Sequence, residues 1–189
     1  EITQASAVNP SVSGYTGVYD GASHTITVEG GSGGTIEYST NSGTDWTEHL
    51  PSRTSVGTTT ILVRVSGDAN HLSTTPVSAT ITITEKSISD STVEVTLNPT
   101  SYEYDGNAKK PTVTIRDTET NRTLTSGSDY TVEYENNINV GTARVIITGI
   151  ENYTDDRTET FTIMGVSAVN PNVFDYTGVY DGAAHAITV

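Results

Sequence analysis

The stretch Gly14-Tyr15-Thr16-Gly17-Val18-Tyr19-Asp20-Gly21-Ala22-Ser23-His24-Thr25-Ile26-Thr27-Val28 is said twice, because residues 175–189 read DYTGVYDGAAHAITV. The flanks repeat as well: SAVNPSV at 6–12 returns as SAVNPNV at 167–173. Repetition decides architecture before any local reading. Within the stretch, Asp20-Gly21 stands between runs of alternating apolar and polar residues, the pattern of a tight hairpin turn. After the turn, His24, Ile26 and Val28 share one strand face while Thr25 and Thr27 take the other. The unit therefore reads as strand, Asp-Gly turn, strand. A lone hairpin is marginal in water, so it must belong to a larger sheet.

Working outward, a first unit runs from about Ala5 to Thr84 and closes on Ala79-Thr80-Ile81-Thr82-Ile83. Strands are expected at 14–19, 24–29, 35–39, 44–48, 59–66 and 78–84, with Gly30-Gly31-Ser32-Gly33-Gly34 as a loop and Asn41-Ser42-Gly43 as a turn. Glu85-Lys86-Ser87 reads as a short connection. A second unit follows, with strands expected at 92–97, 102–104, 111–116, 122–125, 130–135, 142–149 and 157–163. It is a distant copy of the first. Tyr19-Asp20-Gly21 aligns with Tyr104-Asp105-Gly106, Val56-Gly57-Thr58 with Val140-Gly141-Thr142, and Gly67-Asp68-Ala69-Asn70-His71 with Gly149-Ile150-Glu151-Asn152-Tyr153.

No segment places apolar residues at helical spacing for three turns. Short strands punctuated by turn signals describe an all-β protein of tandem immunoglobulin-like sandwiches. The expected division is repeat A over 5–85, repeat B over 86–164, and the opening hairpin of a second A-type repeat over 165–189. Residues 1–4 read as the tail of a preceding unit, and the whole as a piece of a tandem array.

Composition bounds the partners. Nine Lys and Arg against 23 Asp and Glu leave a formal charge of −14, which repels nucleic-acid phosphates and anionic membrane surfaces. No apolar run approaches the roughly 20 residues of a spanning helix. The hydrophobic content of 33% is lean, but regular strand patterning throughout speaks against disorder. With no cysteine, disulfides and thiolate chemistry are excluded.

TGVYDGASHTITV, with IEYSTNSGTDWTEHLPSRTSVGTTTILVRVSGDAN after it, resembles bacterial surface repeats of the MBG or YDG type. NPTSYEYDGNAKKPTVTI, with SGSDYTVEYENNINVGTARVIITGIENYTDDRTETFTI after it, resembles a related Ig-like repeat of large cell-wall proteins of gut Firmicutes. The resemblance covers nearly the whole chain. It implies an exported, wall-anchored, adhesin-like protein of many repeats, with the anchor outside these residues.

Individual residues offer little chemistry. His24 and His185 occupy the same place in the A-type stretch, but Lys109 holds that place in repeat B, and a cation is a poor substitute for a metal ligand. The expected role is a strand-end imidazole beside Ile26. Asp20, Asp105 and Asp181 could offer oxygens to calcium at the junctions, yet an Asp before Gly is more economically a turn residue bonding its own backbone. No metal and no cofactor is expected. Trp46, flanked by Asp45 and Glu48, is the one candidate ligand contact, since an aromatic beside carboxylates can stack a sugar ring; burial against the core is the competing and favoured reading. The tyrosines at 15, 19, 102, 104, 130, 134, 153, 176 and 180 read as packing residues. No nucleophile or acid–base pair is assembled, so no enzyme is expected. A self-formed cross-link between a lysine and an asparagine needs a buried lysine. Lys86, Lys109 and Lys110 lie in a linker and at a strand edge, so none is expected.

Two functions fit. The array is a non-enzymatic spacer contacting neighbouring repeats of the same protein, or an adhesive module that engages host glycan or protein through the loops at 30–34 and 41–51. Residues 166–189 cannot bury a core alone, and are expected to pair with a sheet edge in this chain or, by strand exchange, in a neighbouring molecule.

Overall fold

A computed structural model describes residues 2–169, 171, 173 and 175–186. The chain is all-β, built of tandem immunoglobulin-like sandwiches, with no helix among the described residues. The first sandwich uses β1 (Val8–Ser13), β2 (Tyr15–Val18), β3 (Thr27–Ser32), β4 (Gly34–Ser39), β5 (Gly57–Gly67) and β6 (Val77–Thr84). The second uses β7 (Val93–Asn98), β8 (Ser101–Glu103), β9 (Thr112–Asp117), β10 (Tyr130–Glu135), β11 (Gly141–Gly149) and β12 (Asp156–Met164).

The two sandwiches repeat one topology. One sheet runs β2-β6-β5-β4 in the first and β8-β12-β11-β10 in the second. The opposing sheet pairs β1 with β3, and β7 with β9, the latter extended by Arg122–Thr123. In each, the short strand after the first long one runs parallel to the last: Tyr15 opposes Ile81, and Tyr102 opposes Ile163.

Alternation drives this packing. In β5, Ile61, Val63 and Val65 point inward and are fully buried, while Leu62 and Arg64 face outward and are half-buried. Ala143, Val145 and Ile147 do the same in β11. Burying each Val or Ile contributes about 1.5–3 kcal/mol, and β-branched residues fit the pleat. Ile81 and Ile83 from β6, and Phe161 and Ile163 from β12, complete the inner faces.

Four sequence expectations change. First, Asp20-Gly21 does not close a hairpin: β2 pairs with β6, whereas His24–Thr25 pairs with Ser52–Arg53 and β3 pairs with β1. The turn carries the chain from one sheet to the other. Second, the glycine run at 30–34 is mostly strand, with β3 reaching Ser32 and β4 starting at Gly34. Third, residues 44–48 form no strand; only Thr47 bridges to Tyr38. Fourth, the described residues from 165 to 186 form no strand and pair with neither sandwich. The parts of that expectation falling on 170, 172, 174 and 187–189 lie outside the described residues.

Candidate functional site

Asp20 uses Oδ1 to accept the Ala22 N–H at 2.8 Å, Asp105 accepts the Asn107 N–H at 2.8 Å, and Asp181 accepts the Ala183 N–H at 2.9 Å. The next glycine takes positive φ in every copy: 74° at Gly21, 80° at Gly106 and 78° at Gly182. This is the self-bonding turn expected of an Asp before Gly. Each Asp also meets the side chain four residues on. His24 Nε2 lies 2.9 Å from Asp20, Lys109 Nζ 2.6 Å from Asp105, and His185 Nε2 2.8 Å from Asp181. The hydrogen bonds from His24 and from the Ala22 amide hold the Asp20 carboxyl below its usual range. The exchange of His for Lys thus has a simple cause, because either side chain can bond the turn carboxylate. Among the described residues no three His, Cys, Asp or Glu side chains converge on a metal position.

An aromatic ring lies against each of these three side chains. Tyr15 stacks on His24 at 3.9 Å, Tyr176 stacks on His185 at 3.8 Å, and Lys109 Nζ stands 5.7 Å from the Tyr102 ring. Gly17 and Tyr102 occupy the same place in the two sandwiches, opposite Ile83 and Ile163. A β-carbon at Gly17 would strike the Tyr15 ring, so the glycine leaves room for a ring that folds back along its own strand.

The most elaborate constellation is the junction between the sandwiches. Lys86 is 2% exposed, against the expectation of a solvated linker lysine. Residues Lys86–Ser87 form a short parallel pairing with Tyr153–Thr154, which draws the lysine stem under the second sandwich. Its Nζ donates to Asp117 Oδ1 at 2.8 Å and to Glu119 Oε2 at 2.7 Å. Asp117, 0% exposed, accepts the Tyr153 hydroxyl on Oδ2 at 3.0 Å and the Glu119 backbone N–H on Oδ1 at 3.1 Å. Burial pushes the Lys86 ammonium down, but the bonds to Asp117 and Glu119 outweigh it and leave it raised. Burial likewise pushes the Asp117 carboxyl up, and the bonds from Lys86 and Tyr153 reverse that and hold it low. The resting pair is ionic. Burial, then the bond to Asp117, drive the Tyr153 phenol far above its ordinary range.

Contacts from the first sandwich close over this cluster. Tyr19 meets Tyr153 edge to face at 5.7 Å, Thr120 packs beside Gly21, and the Val56 N–H donates to Asn152 Oδ1 at 3.0 Å. Arg122, held on both oxygens of buried Asp129 at 2.7 and 2.8 Å, faces Tyr19. Tyr19 is 6% exposed, whereas its counterparts Tyr104 and Tyr180 are 38% and 93% exposed. Sequence reasoning set Lys86 aside as a linker lysine, took Tyr153 as a packing residue and did not single out Asp117. One signal was on the page: a lysine between β-branched strands, in a chain with only nine cations.

Trp46, Asp45 and Glu48 lie on the outer face of the β5–β4 sheet. Trp46 is half-buried, neither core nor open platform. The Arg64 guanidinium stands 4.0 Å over its ring and is tied to Glu37 at 2.7 Å. The indole N–H donates to the Gly43 carbonyl at 3.0 Å. Asp45 accepts from Asn41 Nδ2 at 2.7 Å, and Glu48 is exposed. One ring face is thereby occupied by the protein itself. A separate open groove of about 570 Å³ between Ser89 and Thr96 contains Arg157, already bonded to Glu159 and the Val93 carbonyl.

No protein-family model and no curated protein matches the chain. Thirteen chains of solved structures match. One is in the crystal structure of Dpr2 Ig1-Ig2 in complex with DIP-Theta Ig1-Ig3, at TM-score 0.28 and 8% identity, over 85% of this chain and 66% of that one. Another is the protocadherin gammaB7 EC3-6 cis-dimer structure, at TM-score 0.29 and 14% identity, over 84% of this chain and 47% of that one. The chain thus spans about two thirds and under half the length of these two.

Proposed function

We propose that these sandwiches are non-enzymatic spacer repeats of a bacterial cell-surface protein of the MBG or YDG kind, displayed outside the cell and anchored elsewhere in the full protein. The observation that carries this reading is the junction. A linker lysine at 2% exposure, with Tyr19 seated on Tyr153, fixes one sandwich on the next instead of leaving a free hinge. Inter-domain contacts are ordinarily polar and permissive, so a buried junction is a departure that serves reach. An acidic, cysteine-free, threonine-rich surface suits a stalk that must stay soluble and unattached.

The second reading, adhesion to host glycan or protein, rests on Trp46 with Asp45 and Glu48 in the 41–51 loop. Small-angle scattering together with a glycan array separates the two. A single stiff envelope with no glycan retained supports the spacer. Retention that disappears in Trp46→Ala supports adhesion and overturns it.

A further inference from the structure

We infer that Lys86 and Asp117 condense into an amide, so that the linker is covalently tied to the second sandwich by the protein's own side chains. Four groups with separate tasks meet there. Lys86 Nζ is the nucleophile, 2.8 Å from Asp117 Oδ1. Glu119 Oε2, 2.7 Å from Nζ, is the base, and its half-exposed carboxylate can exchange protons with solvent. The Tyr153 hydroxyl, 3.0 Å from Asp117 Oδ2, stands where negative charge develops when the carbon turns tetrahedral. The lysine and aspartate side chains are 2% and 0% exposed, so water is excluded from the reacting atoms.

The step balances without any co-reactant. The ammonium loses two of its three protons, and both end on Oδ1, one passing directly and one relayed by Glu119. The freed amine attacks Asp117 Cγ, a C–N bond forms, and the Cγ–Oδ1 bond breaks as Oδ1 leaves as water. Oδ2 remains as the amide oxygen under Tyr153. One positive and one negative charge vanish together, which relieves the desolvation that a buried ion pair carries. Proximity supplies the rest, since both groups are held in contact by strand pairing and need no encounter.

The test is the intact mass of the folded chain after incubation at neutral pH, measured under denaturing conditions, followed by peptide mapping. The expected result is a mass lower by one water, with the Lys86 and Asp117 peptides joined. Lys86→Arg keeps the cation, and Glu119→Gln alters only a half-exposed side chain. Both are expected to fold by circular dichroism and to keep the full mass. A folded wild-type chain that keeps its full mass holds an ion pair only and overturns the inference. Loss of water in Glu119→Gln at the wild-type rate overturns the role given to Glu119.

Discussion

Tyr19 of the first sandwich and Tyr153 of the second meet edge to face, with centroids 5.7 Å apart and planes at 77°. Edge-on contact sets the positive rim of one ring on the negative face of the other, contributing about 0.5–1.5 kcal/mol beyond the area buried. Tyr153 also donates its hydroxyl to Asp117, so the ring contact adjoins the Lys86–Asp117 site.

Tyr19→Ala should uncouple the sandwiches. Trp46 is the only tryptophan and sits in the first sandwich, so its fluorescence reports that half, while far-ultraviolet dichroism reports both. The wild-type transitions should coincide. In Tyr19→Ala, with roughly 3 kcal/mol of packing removed, fluorescence should melt first. Coincident transitions in the variant would show that the ring does not couple the halves.

Asp117→Ala should be among the most damaging single changes. It strands the Lys86 ammonium in a site only 2% exposed, and breaking one side of a buried pair costs about 3–5 kcal/mol. Denaturant titration reads the loss directly. The double change of Lys86 and Asp117 to apolar residues should be more stable than Asp117→Ala alone, because no uncompensated charge remains.

Gly17→Ala should destabilise the first sandwich by about 1–3 kcal/mol, as expected for overpacking. The added methyl displaces the Tyr15 ring from His24, on which it stacks at 3.9 Å. The double change Gly17→Tyr with Tyr15→Thr moves the ring to the place that Tyr102 holds in the second sandwich. It should be more stable than Gly17→Tyr alone, as thermal melting would show.

Acid stability should fall below the ordinary aspartate value of 3.8. The Asp20 carboxyl is held low by His24 and the Ala22 amide, and Asp90 by the Thr92 hydroxyl and amide. A carboxyl depressed by folding contributes stability that is complete above its unfolded value and is lost as pH drops through its folded value. Melting midpoints of the Asp20→Asn, Asp90→Asn double variant should therefore depend less steeply on pH in the acid range. An unchanged slope would remove these two groups from the account.

What the sequence made legible followed from period. Ile61, Val63 and Val65, and again Val145 and Ile147, announced inward faces by strict alternation, and the Asp-Gly turn chemistry was readable from two residues. The strand Val8–Ser13 was not, because Pro10 argues against a strand; it is tolerated here because β1 pairs on one side only, with β3. The sheet crossing at Asp20-Gly21 also escaped, since a turn residue states that the chain bends and not which strand it will meet. The lysine site was hidden for a related reason. Asp117 and Tyr153 lie far along the chain from Lys86, and strand register alone brings them together.

The burial of Tyr19 by residues near 120 and 153 gives the pair of sandwiches a direction in time. During synthesis the earlier sandwich emerges with that tyrosine still bare, and it reaches full strength only once its successor has been made and has docked. The first sandwich is thus completed from behind, one domain in arrears of its own synthesis.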